Sequence, residues 1–345
     1  MIRPVAVWRG VGLSLLLMVL AGFALQDRSW NLRGPSFVKG VAVGVFDLRR
    51  PAEAYTPGLR EIRNLGANSI SLPVYWLQND VEASAIAPRE EISLAMYDDI
   101  IRSLIAKARD LGMEVLLMPV VQLGTVEAGE WRGTIRPEDE QSWWSSYTRF
   151  IMHYAHLAAD EGVELFCVGS ELSSMQANER EWRNLIADVR QVYEGRLIYS
   201  ANWDQYRDVG FWDEMDFLGL SGYYTLSRQL RPEYAELAAG WERIRDELIA
   251  WSRSQDRKLL FTEVGYASRS NAALSPWDYT TGAYPDLRLQ QLCYRAFVDT
   301  WRDSAELAGT YLWIWELGKG GTGDGGYSWR GKPSERVINE WYRSI

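Results

Sequence analysis

Short apolar runs alternate with helical stripes along this chain from residue 40 onward. The first apolar run is 41–46; Pro57 then opens a helix that ends near Gly66, and 68–76 reads as a second strand. A helix over 94–111 stops at Gly112, a residue suited to a C-terminal cap, and 113–119 is the third strand. Trp143, Tyr147, Phe150, Ile151, Tyr154 and Leu157 then fall on one side of a 3.6-residue period, a helix ended by Gly162. The fourth run, 163–169, leads to Glu171. A helix over 180–193 precedes a fifth strand at 196–200, and a short helix around Phe211 precedes a sixth at 217–221. Helix 234–254 precedes the seventh strand, 258–262, and helix 287–304 precedes the eighth, 310–315. A helix over 333–342 closes the chain.

Eight strands, each followed by a helical segment, over roughly 300 residues is the count of a (β/α)8 TIM barrel. With no internal repeat and no second composition zone, one α/β domain over 40–345 is expected. An open doubly wound sheet competes, but the Gly-rich phosphate turn is absent after the first strand. The Gly-rich stretch 318–326 follows the last strand and lacks a P-loop lysine-serine pair, so it reads as a flexible loop at the barrel mouth.

Composition narrows the chemistry. Net charge is −9 with acidic and basic residues interleaved, which speaks against nucleic acid as a partner. The 17 Trp and 18 Tyr suit a carbohydrate site, because aromatic faces stack on sugars, although most of them belong to a core. Cys167 sits in a strand and Cys293 in an amphipathic helix, both as buried apolar thiols. His153 and His156 share one helix with no further ligand close in sequence, so neither a metal centre nor a Ser-His-Asp triad is expected. Carboxylate chemistry is what remains.

At the N-terminus, Arg3 and Arg9 precede an uncharged run over 10–26, closed by Asp27 and Arg28. Its apolar part is at the upper edge of a signal-peptide core and short of a membrane span of about 20 residues. Residues 1–30 therefore read as a signal peptide, with an uncleaved membrane anchor as the alternative, and 31–39 as a linker. Either way the barrel is expected outside the cytoplasm, periplasmic or extracellular, and as a monomer.

Two strands end on a glutamate: Leu165-Phe-Cys-Val-Gly-Ser-Glu171 and Leu259-Leu-Phe-Thr-Glu263. A carboxylate where a hydrophobic strand runs out is costly unless something uses it, and in a barrel that position is the active-site rim. Strand alternation groups Leu165, Cys167, Gly169 and Glu171 on one face and Leu259, Phe261 and Glu263 on another. If both faces point inward, the carboxylates meet, as a retaining glycosidase requires. Asp47, Asp204 and Glu316 also lie at strand ends and are taken as rim charges.

The chain here resembles the clan of retaining (β/α)8 glycosidases, and within it glycoside hydrolase family 113, whose characterised members are chiefly β-1,4-mannanases. The resemblance spans nearly the whole barrel. It is carried by Pro73-Val-Tyr-Trp-Leu-Gln78, Glu130-Trp-Arg-Gly133, Gly169-Ser-Glu-Leu172, Ser200-Ala-Asn-Trp-Asp204, Thr262-Glu-Val-Gly-Tyr266 and Gly331-Lys-Pro333, together with 144–155, 216–224 and 311–315. It implies Glu171 as acid/base and Glu263 as nucleophile, with Tyr223 donating a hydrogen bond to the nucleophile. Asn202 would contact a substrate hydroxyl beside Trp203, and Trp315 would form the sugar platform. Trp131 and Arg132, and likewise Trp76 and Gln78, would line the cleft. Two departures stand out: Pro119-Val-Val-Gln122 replaces a Pro-His-Val-Asp-like turn, and Ser170 stands where the clan often has Asn.

The sequence thus points to a retaining hydrolase of β-linked polysaccharide or oligosaccharide, with β-1,4-mannan first among substrates and no cofactor or metal needed. The alternatives are a barrel that binds polysaccharide without cutting it, and a transglycosylase or glycosidase using the same carboxylates on another β-glycan.

Overall fold

The protein is described by a computed structural model covering residues 37–229, 231–280 and 284–345. The export or anchor segment and most of the linker lie outside these residues.

Nine strands form one sheet: β1 (Val38–Gly44), β2 (Ser69–Gln78), β3 (Ile86–Pro88), β4 (Glu114–Leu123), β5 (Leu165–Ser170), β6 (Arg196–Ala201), β7 (Phe217–Ser221), β8 (Leu259–Val264) and β9 (Leu307–Glu316). Eight are parallel in sequential order, and β1 pairs with both β2 and β9, which closes the ring into a (β/α)8 barrel. The short β3 is an antiparallel addition to the end of β2, from Trp76 opposite Pro88 to Gln78 opposite Ile86. The barrel's fourth strand is therefore β5 and its seventh β8.

Around the ring lie α1 (Thr56–Asn64), α2 (Leu94–Asp110), α3 (Glu140–Glu161), α4 (Glu179–Val192), α5 (Tyr234–Ser254), α6 (Leu287–Trp301) and α7 (Pro333–Ser344). Their ends follow local chemistry. Ser93, Asp139 and Asp286 accept backbone N–H bonds at the starts of α2, α3 and α6, and Gly162 closes α3 in the left-handed region. Between β6 and β7 the expected helix is reduced to two 3₁₀ turns, Tyr206–Asp208 and Trp212–Glu214.

The core divides in two. Outward-facing strand residues such as Ile70, Leu72, Val74, Phe166 and Val168 meet the helices. A smaller cluster fills the barrel, including Leu116, Met118, Leu165, Cys167, Ile198, Leu260 and Tyr311. Cys167 and Cys293 are both buried free thiols, one in each cluster.

Candidate active site

Glu171 follows β5 at the turn out of the barrel, with φ = 53°. A left-handed conformation strains a residue with a Cβ by about 1–3 kcal/mol, so the surroundings must hold it. Its N–H donates to the Ser200 carbonyl at 2.8 Å, and the next N–H, of Leu172, donates to the Tyr199 hydroxyl at 3.2 Å. The Tyr147 hydroxyl donates to the Val168 carbonyl at 2.8 Å. A helix and the neighbouring strand thus fix the turn that presents this carboxyl.

Glu263 reaches the same place by a different route. On β8, Phe261 faces outward onto Phe297 and Trp301, and Leu259 faces the helices as well. Simple alternation would then send Glu263 outward. Instead the register slips: Leu220 pairs with Phe261 and the next residue, Ser221, with Glu263. This bulge places one residue of β7 against two of β8. The Thr262 hydroxyl meets that of Ser200 at 2.6 Å across the interior, and Glu263 then faces the barrel mouth. The expectation that Leu259 and Phe261 share the inward face is corrected here, although the carboxyl they lead to does point inward.

Both carboxyls line one cavity of ≈ 620 Å³ at the C-terminal ends of the strands, with Trp131, Arg132, Asn202, Trp203, Asp204, Tyr223, Trp277, Tyr279, Trp313 and Tyr327. Glu171 is 6% exposed and Glu263 3%. An Arg132 guanidinium nitrogen donates to Glu171 Oε2 at 2.6 Å, and the Tyr223 hydroxyl donates to Glu263 Oε2 at 2.8 Å. Burial, and then the charge of Glu171, push the Glu263 carboxyl up to about 8, while Arg132 and the Tyr223 hydrogen bond pull it back. Tyr223 itself is lifted well above the usual phenol range by burial and by Glu263, so it stays a donor. Asn202 Nδ2 donates to Asp204 Oδ1 at 2.5 Å, and both residues line the cavity.

The same cavity carries an aromatic wall. Trp203 and Trp277 stack with centroids 5.5 Å apart and planes 18° from parallel, and Tyr327 meets both Tyr223 and Tyr279 edge-on. The Tyr327 hydroxyl donates to the Pro276 carbonyl at 2.6 Å, joining the loops after β8 and β9. The Gly-rich loop expected to be flexible is pinned instead. Asp324 accepts from the Gly320 and Gly326 N–H groups, and buried Lys332 donates to Ser268 Oγ at 3.0 Å and Gly326 O at 3.2 Å.

Three expected cleft residues lie elsewhere. Trp76 stacks on Phe150 of α3, and Gln78 accepts from Trp143 Nε1 at 2.9 Å, so both face the helices. The inward residue of that strand is Tyr75, packed on the interior cluster with the Glu263 charge nearby. Trp315 packs on Gly58 of α1 and beside Tyr55, while Trp313 lines the cavity. Along β9 four residues, Leu312 to Trp315, stand against three on β1, Val41 to Val43; that bulge reverses the side-chain phase between the two tryptophans. Trp277, Tyr279 and Tyr327 line the cavity from loops, where no periodicity in the sequence marks direction. Asp204, expected as a rim charge, lies on the cavity lining.

The profile of Glycoside Hydrolase Family 113 matches residues 50–329. A family 113 β-mannanase from Alicyclobacillus acidocaldarius, in complex with ManMIm, is 29% identical with a TM-score of 0.79, covering 90% of this chain and 98% of its own. A further family 113 β-1,4-mannanase, in a complex structure, is 26% identical with a TM-score of 0.78, over 90% of this chain and all of its own. An enzyme of glycoside hydrolase family 5, from Streptomyces cattleya and bound to GlcNAc, shares the fold at 12% identity and a TM-score of 0.63, over 90% of this chain and 80% of its own. No curated protein sequence matches the chain significantly. With a closed barrel, two buried carboxyls at its mouth and a family match across most of its length, the chain belongs to Glycoside Hydrolase Family 113 and is a glycoside hydrolase.

Proposed function

We propose that this hydrolase cleaves β-1,4-linked mannan or manno-oligosaccharides with retention of configuration. The observation that carries the reading is the placement of two buried carboxyls from the barrel's fourth and seventh strands in one aromatic-walled cavity. In the first step the Glu263 carboxylate attacks the anomeric carbon, the bond to the leaving oxygen breaks, and that oxygen takes its proton from Glu171. In the second, Glu171 as carboxylate removes a proton from water, whose oxygen forms the new bond to the anomeric carbon and frees Glu263. Tyr223 supports the attacking carboxylate by hydrogen bonding to its ionised form. Trp313 and Tyr327 offer apolar faces to the sugar ring, and Asn202 a donor to its hydroxyls. The mannanase relatives support mannan as the first substrate to test.

Glu171→Gln and Glu263→Gln should each lose most turnover when β-mannan, β-glucan, xylan and chitosan oligosaccharides are screened for new reducing ends. Full activity in either variant ends the assignment. Binding with no product from any polymer in the parent protein would favour a polysaccharide-binding role.

We further propose that residues 10–26 direct the chain out of the cytoplasm. Among the described residues no helix is long and apolar enough to cross a membrane. Fractionating cells that express the full chain and a chain starting at residue 37 tests this; equal distributions would refute it.

A further inference from the structure

Lys332 is a buried cation that the proposed reaction does not use. None of its side chain reaches solvent, and its carboxylate partner, Asp324, stands 4.0 Å away. A loose buried pair of this kind adds little stability over apolar packing, because the cost of desolvation offsets the attraction. The donors of Lys332 instead fasten a loop. Nζ donates to Ser268 Oγ at 3.0 Å and to the Gly326 carbonyl at 3.2 Å. Ser268 in turn donates from Oγ to the Asp324 carbonyl at 2.7 Å and from its N–H to the Gly326 carbonyl at 3.1 Å.

These bonds converge on the residue before Tyr327. The loop that leads there is poor in side chains: Gly320 and Gly321 take positive φ, and Gly323, Gly325 and Gly326 follow. Glycines bring conformational freedom and nothing to pack, so such a loop needs outside fastening to hold one course. Lys332, Ser268 and Asp324 supply it, and Arg269 Nε adds a bond to the Gly325 carbonyl at 3.1 Å.

Tyr327 passes this placement on to the cavity. Its ring centroid lies 6.0 Å from that of Tyr223, the donor to Glu263, and 5.6 Å from that of Tyr279. Its hydroxyl donates to the Pro276 carbonyl, and the next residue, Trp277, stacks on Trp203. We propose that Lys332 is a positioning residue for the sugar-facing wall: by fixing Ser268 and Gly326 it holds Tyr327, and through Tyr327 the Trp277 ring, in the placement that receives substrate. This rests on the reading of the cavity as the site of glycoside hydrolysis. Lys332 acts through Tyr327 and touches no sugar.

The test is a double-mutant cycle. kcat/KM on β-1,4-mannohexaose is measured for the full chain, Lys332→Met, Tyr327→Ala and the double variant, below the melting temperature of each. Asp324 keeps the N–H groups of Gly320 and Gly326 when the ammonium is removed, so Lys332→Met should fold. It should lower kcat/KM about tenfold in the parent, because the wall is misplaced, and change it little once Tyr327 is alanine. Equal losses in both backgrounds, or no loss in the parent, would overturn the proposal. Should Lys332→Met fail to fold, Ser268→Ala removes the hydroxyl between Nζ and the Asp324 carbonyl and runs the same cycle. Fluorotryptophan labelling gives a readout without turnover. The fluorine resonance of Trp277, assigned with Trp277→Phe, should move in Lys332→Met, and a resonance that stays in place would overturn the proposal. Full activity in Glu171→Gln or Glu263→Gln would instead overturn the underlying assignment, and the fluorine resonance would still decide the role of Lys332.

Discussion

Glu263 is the most strongly perturbed acid at the site, and its environment makes two measurable demands. Its carboxyl is raised from 4.5 to about 8, by burial first and the Glu171 charge second. A folded-state value above the unfolded one means that the native protein binds the proton more tightly. Its contribution to stability is therefore complete below pH 4.5 and is lost as pH rises toward 8. Glu263→Gln removes that dependence. Its melting temperature relative to the parent should climb between about pH 5 and 8, by on the order of several degrees, and then level off. A difference that stays flat with pH would contradict the burial argument. Tyr223→Phe probes the opposing influence. Loss of a hydrogen bond to a charged acceptor removes about 1.5–3 kcal/mol, so kcat/KM should fall roughly ten- to hundredfold. The acidic limb of its pH profile should also move to higher pH, because the ionised form of Glu263 loses a donor. That Glu171 and Glu263 reach the barrel mouth was legible in the sequence from a carboxylate at the end of an apolar run, a cue that Asp47, Asp204 and Glu316 share. Arg132 was legible as a cleft-lining loop residue, but nothing in the sequence placed it on Glu171.

The strands explain which other residues could be found this way. In an all-parallel barrel both faces of a strand are buried, so alternation along a hydrophobic run gives spacing without saying which face looks inward. On β2 the interior takes Ser69, Ser71 and Tyr75, and the larger aliphatic residues and Trp76 go to the helices. The strand's phase is thus the reverse of the expected one, which sends Trp76 and Gln78 to the helices. On β8 and β9 bulges reset the phase at the rim, which no propensity or pattern marks. The tryptophans of β9 provide the direct check. A Cβ on Gly58 would lie 2.0 Å from the Trp315 ring, so Gly58→Ala should destabilise by about 1–3 kcal/mol through overpacking. It should leave KM for manno-oligosaccharides unchanged. Trp313→Ala should do the reverse, raising KM or lowering kcat at least tenfold with a modest change in melting temperature. If Trp315 were the sugar platform, those two outcomes would be exchanged.

At the scale of the whole molecule, the site exists because the ring closes. Glu171 and Glu263 come from strands that do not pair, and only the barrel brings them to one cavity. Closure is secured where the first and last strands meet: β1 pairs with β9, and the Tyr342 hydroxyl of α7 donates to the Gly40 carbonyl at 2.8 Å. Lys39 of β1 donates to the Tyr342 carbonyl at 2.8 Å. Tyr342→Phe strands a buried carbonyl and should cost about 1–2 kcal/mol, read as a drop of a few degrees in melting temperature with kcat/KM preserved. This architecture was the most legible feature of all, since eight strand–helix repeats leave few other ways to bury so much apolar surface. The central chemical claim is the covalent step at Glu263. Incubation with an activated 2-deoxy-2-fluoro-β-mannoside, followed by peptide mass spectrometry, should find one fluorosugar on the peptide carrying Glu263. A label on Glu171, or a first-formed product of inverted configuration, would contradict the account.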